Sequence, residues 1–347
     1  MNPAFDDVLS ADPETRAGLF AATAQRLGST PQNIEKDFWV CWTLDALFNG
    51  LPAGGPRLLF KGGTSLSKGF GLISRFSEDI DVTVFRDDLD LAVSVEELQA
   101  MSRTKRIAML AKIAGTCRAF IRGPLAEQLN AIIADACRRT GLPRDGFGVR
   151  PDDDDDQTLL LWYPPATPAG PYVRPAVKIE SGAKSALDPN SARVLRPYVD
   201  EDAPGLDLSV ASVTTVDPRR TYWDKVVILH GLRRWYERRG ELRGGGQRIS
   251  RHYYDLHRLL EAPVGAEASA DKTLGADCVA HARMFFDRPD YDLASAQPPT
   301  FALAPHDGMV EALRRDYAAM TAMIFGPAPA FEAIMTSIER LEAIING

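Results

Sequence analysis

The chain of 347 residues is 45% hydrophobic and 25% charged, which is typical of a soluble globular protein of about two domains. It holds no apolar run of about eighteen residues and begins with an acidic segment, which argues against a membrane span and a secretion signal; we expect a cytoplasmic protein. The formal net charge of −7 excludes a generally basic coat, and the four cysteines lack the spacing of a zinc site.

Two helices are predicted near the N-terminus from their start signals. Asp12-Pro13 and Thr30-Pro31 each place an N-cap residue before a proline at the first helical position. The second helix carries apolar residues at helical spacing until Gly50. This spacing predicts a packing helix.

A strand, a tight turn and a helix are predicted next. Residues 57–60 form a short apolar run that breaks at Gly62 and Gly63, and residues 65–70 are compatible with a helix. Residues 80–85 alternate between apolar and polar side chains, which predicts a second strand.

The middle of the chain is predicted to be helical and then to return to strands. Residues 96–140 form a helical insertion with two helices that meet near Gly123-Pro124, and the acidic run at residues 152–156 is interpreted as a solvated loop. Strand candidates follow at residues 159–163, 172–180, 193–199 and 208–215. After Asp217-Pro218 the pattern is almost wholly helical.

These elements predict an α+β protein of two domains. Residues 1–216 form a mixed-sheet domain that carries the insertion, and residues 217–347 form an all-helical domain. Residues 217–258 hold eleven Lys and Arg against five Asp and Glu, a local balance of +6. Such a basic district suits contact with a polyanion, although its arginines can equally form an ordinary helix exterior: Arg233, Arg234, Arg238 and Arg239.

One group of residues in the N-terminal half predicts a site that binds phosphate and metal ions. In the run at residues 62–65 the absent Cβ atoms of two glycines allow close approach of a phosphate, and the start of a helix favours an anion. Asp79 and Asp81 are two apart on a predicted strand, so both side chains project to one face and can share metal ions. The nucleotide-binding candidates from the run are Gly62, Gly63, Thr64 and Ser65.

A third carboxylate normally completes such a site and helps to deprotonate the incoming hydroxyl. Glu180 is the best candidate because it ends an apolar strand, and Lys178 lies on the same face as a further nucleotide contact. Glu180 can also be a surface residue paired with Lys178, and the two glycines alone can be a simple turn.

Residues 60–82, FKGGTSLSKGFGLISRFSEDIDV, resemble the first motif of the AbiEii/AbiGii and MenT family of nucleotidyltransferase toxins, members of the DNA polymerase β-like superfamily. The portion RFSEDID is its most specific part. Three further motifs follow in the order of the family: KIE at residues 178–180, TYWDK at 221–225 and RHYYDL at 251–256.

The resemblance implies a polymerase β-like catalytic domain in residues 1–216 and a toxin of a toxin–antitoxin or phage-defence system. Such enzymes use a nucleoside triphosphate with Mg²⁺, or Mn²⁺, and several members add nucleotides to the 3′ end of tRNA. The expected partners are therefore a nucleoside triphosphate, tRNA, and a cognate antitoxin protein or kinase-type antitoxin.

The motif match also implies roles for single residues. Asp79 and Asp81 would hold the metal, with Glu180 as the third ligand proposed above. Lys225 would contact the triphosphate, and Asp255 would belong to the active centre. Without the match, Lys225 is a solvated lysine and Asp255 a cap or a partner of a nearby arginine.

Two more positions follow from the first motif. Lys68 is a further phosphate contact. Ser77 lies where some relatives are silenced by phosphorylation, and a phosphate of roughly −1.5 to −2 charge units there would repel metal or triphosphate beside Asp79. Residues 96–155 make the chain longer than typical relatives, which leaves the substrate and the regulator open.

Two other functions are compatible with the same residues. The acceptor can be a protein or small molecule, because the residues near the metal indicate how the nucleoside triphosphate is bound and activated, and they do not identify the acceptor. Alternatively, the fold can serve as a non-catalytic nucleotide-binding regulator, which the intact set Asp79, Asp81 and Glu180 disfavours.

Overall fold

Seven strands form one mixed sheet in the computed structural model, which describes residues 1–168 and 174–347. The strands are β1 (Leu58–Lys61), β2 (Asp79–Val84), β3 (Gly148–Pro151), β4 (Thr158–Trp162), β5 (Ala176–Gly182), β6 (Asn190–Leu195) and β7 (Val210–Val216). Their order across the sheet is β3-β4-β5-β2-β1-β7-β6. β2 pairs with β5 and β1 with β7 in parallel, and the other neighbours are antiparallel.

Thirteen α-helices occur in the described residues. They are α1 (Ala4–Ser10), α2 (Pro13–Leu27), α3 (Pro31–Asp45), α4 (Gly62–Lys68), α5 (Val95–Ala100), α6 (Arg103–Phe120), α7 (Ala126–Thr140), α8 (Pro218–Arg239), α9 (Ser250–Glu261), α10 (Pro263–Ala270), α11 (Lys272–Phe285), α12 (Asp307–Met320) and α13 (Phe331–Asn346). None of them is long and apolar enough to cross a membrane. The α+β class with a mixed sheet is confirmed.

The predicted helix starts are confirmed by their caps. The Asp12 side chain accepts a hydrogen bond from Thr15 N at 2.9 Å, and the Thr30 hydroxyl accepts one from Asn33 N at 3.3 Å. Because a cap is satisfied by residues three positions away, it can be read from local sequence. The two helices of the insertion also meet as predicted, through a π-helical turn at Ile121–Leu125.

Other elements differ from the prediction. α4 begins at Gly62, not after a separate turn, because Gly62 makes the turn itself with φ of +80°. The strand predicted at 193–199 ends at Leu195, since Pro197 has no N–H for the ladder. Helix α1 and strand β3 were not predicted. The strand predicted at 172–180 is β5, and residues 172 and 173 lie outside the described residues.

An aromatic core holds α3 against the sheet. Trp39 is 1% exposed and stacks on Tyr163 with ring centroids 5.0 Å apart, and it meets the edge of Phe147 at 5.1 Å. On the sheet, Ile80 and Ile179 are fully buried. Burial of large aromatic side chains gives this core much of its stability.

The chain forms two compact units. The sheet unit contains Met1–Gly69, Phe76–Ala92 and Lys105–Val216. The helical unit contains Phe70–Arg75, Val93–Thr104 and Asp217–Gly347. The helical unit therefore includes two segments that lie in sequence before residue 217.

Candidate active site

Strands β2 and β5 set four charged side chains on one face of the sheet. In the parallel ladder Asp79 lies beside Lys178, and Asp81 lies beside Glu180. Neighbours in register share a face, and so do residues two apart on a strand. The structure therefore brings together both predicted aspartates, the predicted third carboxylate and the predicted lysine.

The burial of the two strands distinguishes this polar face from the core. Asp79, Asp81 and Glu180 are partly exposed, whereas the intervening Ile80 and Ile179 are fully buried. The apolar side chains fix the strands in the core, and the carboxylates stay accessible. A charged group that keeps contact with water avoids the large penalty of burial.

Lys61 belongs to this face and was not predicted. It ends β1 in register with Asp81, and its Nζ lies 3.9 Å from Asp81 Oδ1. Along the neighbouring strand β5, Lys178 Nζ donates to Glu180 Oε1 at 2.7 Å. The signal was present in the sequence, because Lys61 follows an apolar strand and precedes the glycines, but its register with Asp81 depends on the pairing of β1 with β2.

The charge state of Lys178 follows from these neighbours. Partial burial disfavours the ammonium, but the hydrogen bond to Glu180 and the charges of Glu180, Asp79 and Asp152 raise the pKa of Lys178 above its ordinary value. Lys178 is therefore a cation at neutral pH, beside the carboxylate that it binds.

Gly62 allows Asp81 to lie over the start of α4. Its φ of +80° is in the left-handed region, and a Cβ atom built on it would stand 2.1 Å from Asp81 Oδ2. No side chain fits in that space. Gly62 is thus required by the carboxylate as well as by the turn.

The hydroxyl groups of the glycine-rich run stabilise the turn. Thr64 Oγ1 has two partners, the Asp79 carbonyl and Ser77 Oγ at 2.7 Å. Because a carbonyl only accepts, Thr64 is the donor toward Asp79, and the same hydroxyl is also directed at Ser77 Oγ. Ser65 Oγ donates to Gly62 O at 2.8 Å, and both Thr64 and Ser65 are buried. Their contacts therefore link the turn to the start of β2.

Lys68 has a buried ion pair in the sheet unit. Its Nζ contacts Asp37 Oδ1 and lies 3.2 Å from the centroid of the Tyr198 ring. Burial opposes the charge, but Asp37 raises the pKa of Lys68 above its ordinary value. Since only 4% of the side chain is exposed, these contacts favour a structural role over the predicted phosphate contact.

A second buried ion pair fixes the residue between Ser77 and Asp79. Lys36 Nζ lies 2.6 Å from Glu78 Oε2, and the Lys36 side chain is 6% exposed. Sequence analysis did not identify Lys36, because a lysine inside an amphipathic helix normally lies at the solvent.

In the helical unit, Asp255 is the centre of a buried charge cluster. Arg75 donates to it from Nε at 2.8 Å and from Nη2 at 2.9 Å, and Lys225 Nζ donates at 2.8 Å. The Asp255 side chain is fully buried. Burial alone would raise the pKa of Asp255, but the two cations and their hydrogen bonds hold it well below its usual range. The active-site roles predicted for Lys225 and Asp255 stay predictions.

Four arginines on the second half of α8, within the basic district, hold a loop of their own unit. All four pair with backbone oxygens or a carboxylate between residues 289 and 304. The pairs are Arg233 with Ala304, Arg234 with Thr300, Arg238 with Pro289 and Arg239 with Asp290. These contacts favour the interpretation as a helix exterior over that of an RNA-binding surface.

The chemistry of the sheet face fits a divalent metal ion. No three His, Cys, Asp or Glu side chains converge as a finished metal cage in residues 1–168 and 174–347. Mg²⁺ does not need such a cage, because it keeps several waters and binds through one or two carboxylates together with substrate phosphates. Asp79 and Asp81 provide two accessible carboxylates of this kind, and Glu180 lies in register with Asp81.

Comparisons with known proteins give one family. The family model described as nucleotidyl transferase AbiEii toxin, type IV toxin–antitoxin system, matches residues 45–337. Among solved structures, the nucleotidyltransferase toxin MenT4 of Mycobacterium tuberculosis H37Rv is similar, with 15% identity and a TM-score of 0.40, over 95% of this chain and 99% of that chain. No curated protein matches the sequence. The matched residues include all strands of the sheet and the helices α8 and α9.

Proposed function

Because the chain belongs to the AbiEii family of nucleotidyltransferase toxins, we propose that it transfers a nucleoside monophosphate from a nucleoside triphosphate to RNA, at the 3′ end of tRNA. The observation that carries the proposal is the register of Asp79 and Asp81 with Lys178 and Glu180 on one accessible face. This set supplies acidic ligands, a base and a cation for a triphosphate.

Asp79 and Asp81 would hold Mg²⁺ or Mn²⁺, with Glu180 as a further ligand. When bound, the cation would neutralise charge on the triphosphate and polarise the α-phosphate. Lys61 and Lys178 balance part of the acidic charge on the same face. These lysines are also placed to bind oxygens of an incoming triphosphate.

The reaction is an in-line displacement. The oxygen of the acceptor hydroxyl forms a bond to the α-phosphorus, the bond from that phosphorus to the oxygen of the β-phosphate breaks, and pyrophosphate leaves. Glu180 accepts the proton of the hydroxyl. Lys178 orients this carboxylate through its hydrogen bond of 2.7 Å.

The start of α4 is proposed to receive the triphosphate through its backbone. Gly63 presents no Cβ atom there, so a phosphate oxygen can approach its peptide N–H group, whereas the space beside Gly62 is occupied by the Asp81 carboxylate. A contact from Lys225 to the triphosphate would require this lysine to leave Asp255, its partner at 2.8 Å.

As a toxin of a toxin–antitoxin system, the protein is expected to have an antitoxin partner. We propose Ser77 as a site of control by phosphorylation, since its hydroxyl binds Thr64 and lies two residues before Asp79. Ser77→Asp is expected to abolish nucleotide incorporation and Ser77→Ala to retain most of it. Equal incorporation by both variants, measured with a labelled triphosphate, would contradict this role.

A labelling experiment tests the proposed function. The protein is incubated with each α-labelled nucleoside triphosphate, Mg²⁺, total tRNA and cell protein, and the products are separated by size. Label in the tRNA band is expected, and Asp79→Asn should remove it while circular dichroism stays unchanged. Label in a protein band would assign a protein acceptor instead, and triphosphate binding without any product would indicate a regulator.

A further inference from the structure

Helix α6 lies in a stretch of chain that is basic throughout. Between Glu97 and Glu127 there is no acidic residue, and the stretch carries a formal charge of +6. Its cations are Arg103, Lys105, Arg106, Lys112, Arg118 and Arg122. Since the whole chain carries −7, the remainder carries −13, and the stretch stands out against an acidic protein.

The helix is exposed to an unusual degree. Of its 18 residues only Ile113 and Cys117 are buried. Lys112 is exposed and Ile107 is 56% exposed, and Arg122, in the π-helical turn that continues the helix, is exposed as well. A helix that buries so few side chains gains little stability from packing. Packing in the core therefore does not account for the residues on its exposed face.

Small residues occupy the exposed side of α6 among the cations. Ala108, Ala111 and Ala119 are all exposed. Because their side chains are short, the neighbouring lysine and arginine side chains stand above the helix surface. An extended anion can therefore approach closely.

Two cations of this stretch, Lys112 and Arg122, are less compensated than the four arginines of α8 that bind the loop at residues 289–304. No ion pair is formed by Lys112 or Arg122 with any residue that the structure describes. Arg118 pairs with Asp156, but both side chains are about half exposed, at 47% and 49%. Such a surface pair is worth about 0 to 1 kcal/mol, so a phosphate can replace it.

We propose that the exposed face of α6 binds the phosphate backbone of the RNA acceptor. This proposal rests on the proposed function and names the surface that holds its substrate. An 18-residue helix is about 27 Å long, enough to meet several phosphates in succession. Lysine and arginine that replace condensed counterions on RNA gain affinity without reading sequence.

The face fits RNA better than a folded acidic protein. A protein interface of high affinity needs a buried apolar centre, and Ile107 is the one large apolar side chain that α6 exposes. A face that carries several cations separated by alanines instead suits an anion whose charges repeat along its length, such as a phosphate backbone.

The test uses the full chain and two double variants of equal charge. Lys112→Gln with Arg122→Gln removes two cations from this stretch. Arg283→Gln with Arg340→Gln is the matched control, since both are exposed arginines on helices α11 and α13. Binding to fluorescent total tRNA is measured by anisotropy from about 50 to about 200 mM KCl.

The first variant should lose roughly tenfold in tRNA affinity, and the magnitude of the slope of log K against log salt should fall by about 1.4 to 1.8. The control variant should keep the wild-type affinity and slope, and the KM for the nucleoside triphosphate should be unchanged in both. If wild type labels tRNA and the first variant binds it as tightly as the control, the proposal for α6 is wrong and the proposed function stands.

Two other outcomes also overturn it. If the wild-type protein neither binds nor labels RNA, the proposal of an RNA acceptor and the proposal for α6 are both wrong. If the first variant keeps tRNA binding but loses salt-sensitive binding of poly-L-glutamate, the surface serves an acidic protein.

Discussion

Asp81 lies on the middle one of three neighbouring strands of the site, β1, β2 and β5. β2 carries it, Lys61 of β1 lies 3.9 Å away, and Glu180 of β5 is its neighbour in the ladder. The turn at Gly62 leaves room for its oxygen. At the scale of single residues, the positions of the proposed catalytic side chains are thus set by sheet register.

Glu180→Gln tests the proposed base. The substitution keeps the shape of the side chain and removes its capacity to accept a proton, so kcat should fall by about 10² to 10⁴. The KM for the nucleoside triphosphate should change less. Steady-state incorporation of labelled nucleotide measures both, and Asp153→Asn, in the exposed acidic turn, is the control. An unchanged kcat in Glu180→Gln would remove Glu180 from the mechanism.

Gly62→Ala tests the space beside Asp81. The new Cβ would stand 2.1 Å from Asp81 Oδ2, so the carboxylate must move, and incorporation should be lost. Gly54→Ala is the matched control, because Gly54 has φ of +85° but no atom within 4 Å of an added Cβ. Both variants bear a backbone strain of about 1 to 3 kcal/mol, measured by denaturation. Equal activity of the two variants would contradict the role given to Gly62.

At the scale of elements, a short segment of the first motif is fixed within the helical unit. Arg75 binds Asp255 of α9 through two hydrogen bonds, and Ser74 O accepts from Phe325 N at 2.7 Å. Arg75 and Ile324 also form a β-bridge. Since Asp79 follows Arg75 by four residues, the start of β2 is continuous with an anchored segment.

Asp255→Asn should destabilise the helical unit strongly. Arg75 and Lys225 would remain buried without their anion, at a cost of about 3 to 5 kcal/mol in the free energy of unfolding. Glu332→Gln is the control: its side chain is 68% exposed and pairs with Arg314, which is 43% exposed, so the expected change is much smaller. Urea denaturation monitored by circular dichroism compares them, and similar losses would contradict the central role of Asp255.

The same carboxylate predicts a pH dependence. The pKa of Asp255 is lower in the folded protein than in the unfolded chain, where it is about 3.9. As pH falls below that value the unfolded chain binds a proton first, so stability present at neutral pH is lost. Between about pH 5 and pH 3, Asp255→Asn should lose less stability than wild type. Parallel losses in the two proteins would show that another group is responsible.

At the scale of the whole molecule, the two compact units are not consecutive halves. Phe70–Arg75 and Val93–Thr104 belong to the helical unit, although both precede most of the sheet in sequence. They bring buried side chains with them, including Ile73 and Leu98. The helical unit is therefore completed by chain from the first third of the sequence.

A fragment of residues 217–347 should consequently fold poorly by itself. It lacks the segments that carry Ile73, Arg75 and Leu98, so apolar core would be exposed and Asp255 would lose one cation. Thermal unfolding followed at 222 nm should be broad and start at lower temperature than in the full chain. A cooperative transition at the full-length temperature would contradict this expectation.

The sequence by itself determined what depends on near neighbours. The caps at Asp12 and Thr30 act over three residues, and the shared face of Asp79 and Asp81 follows from the two-residue period of a strand. Glycine and proline positions located the turn at Gly62 and the junction of α6 with α7. Each of these signals depends on residues close together in sequence, so it could be recognised without knowing which distant residues lie nearby in the fold.

Only the tertiary structure decided which distant groups meet. Arg75 and Asp255 are 180 residues apart in sequence, and the register that joins Lys61 to Asp81 exists only when β1 and β2 pair. Net charge alone pointed to the basic district of the helical unit. Four of its arginines, at positions 233, 234, 238 and 239, bind carbonyls and a carboxylate of a loop in the same unit. The partners of a charged side chain come from remote parts of the chain, so the net charge of a segment does not show which of its charges are available.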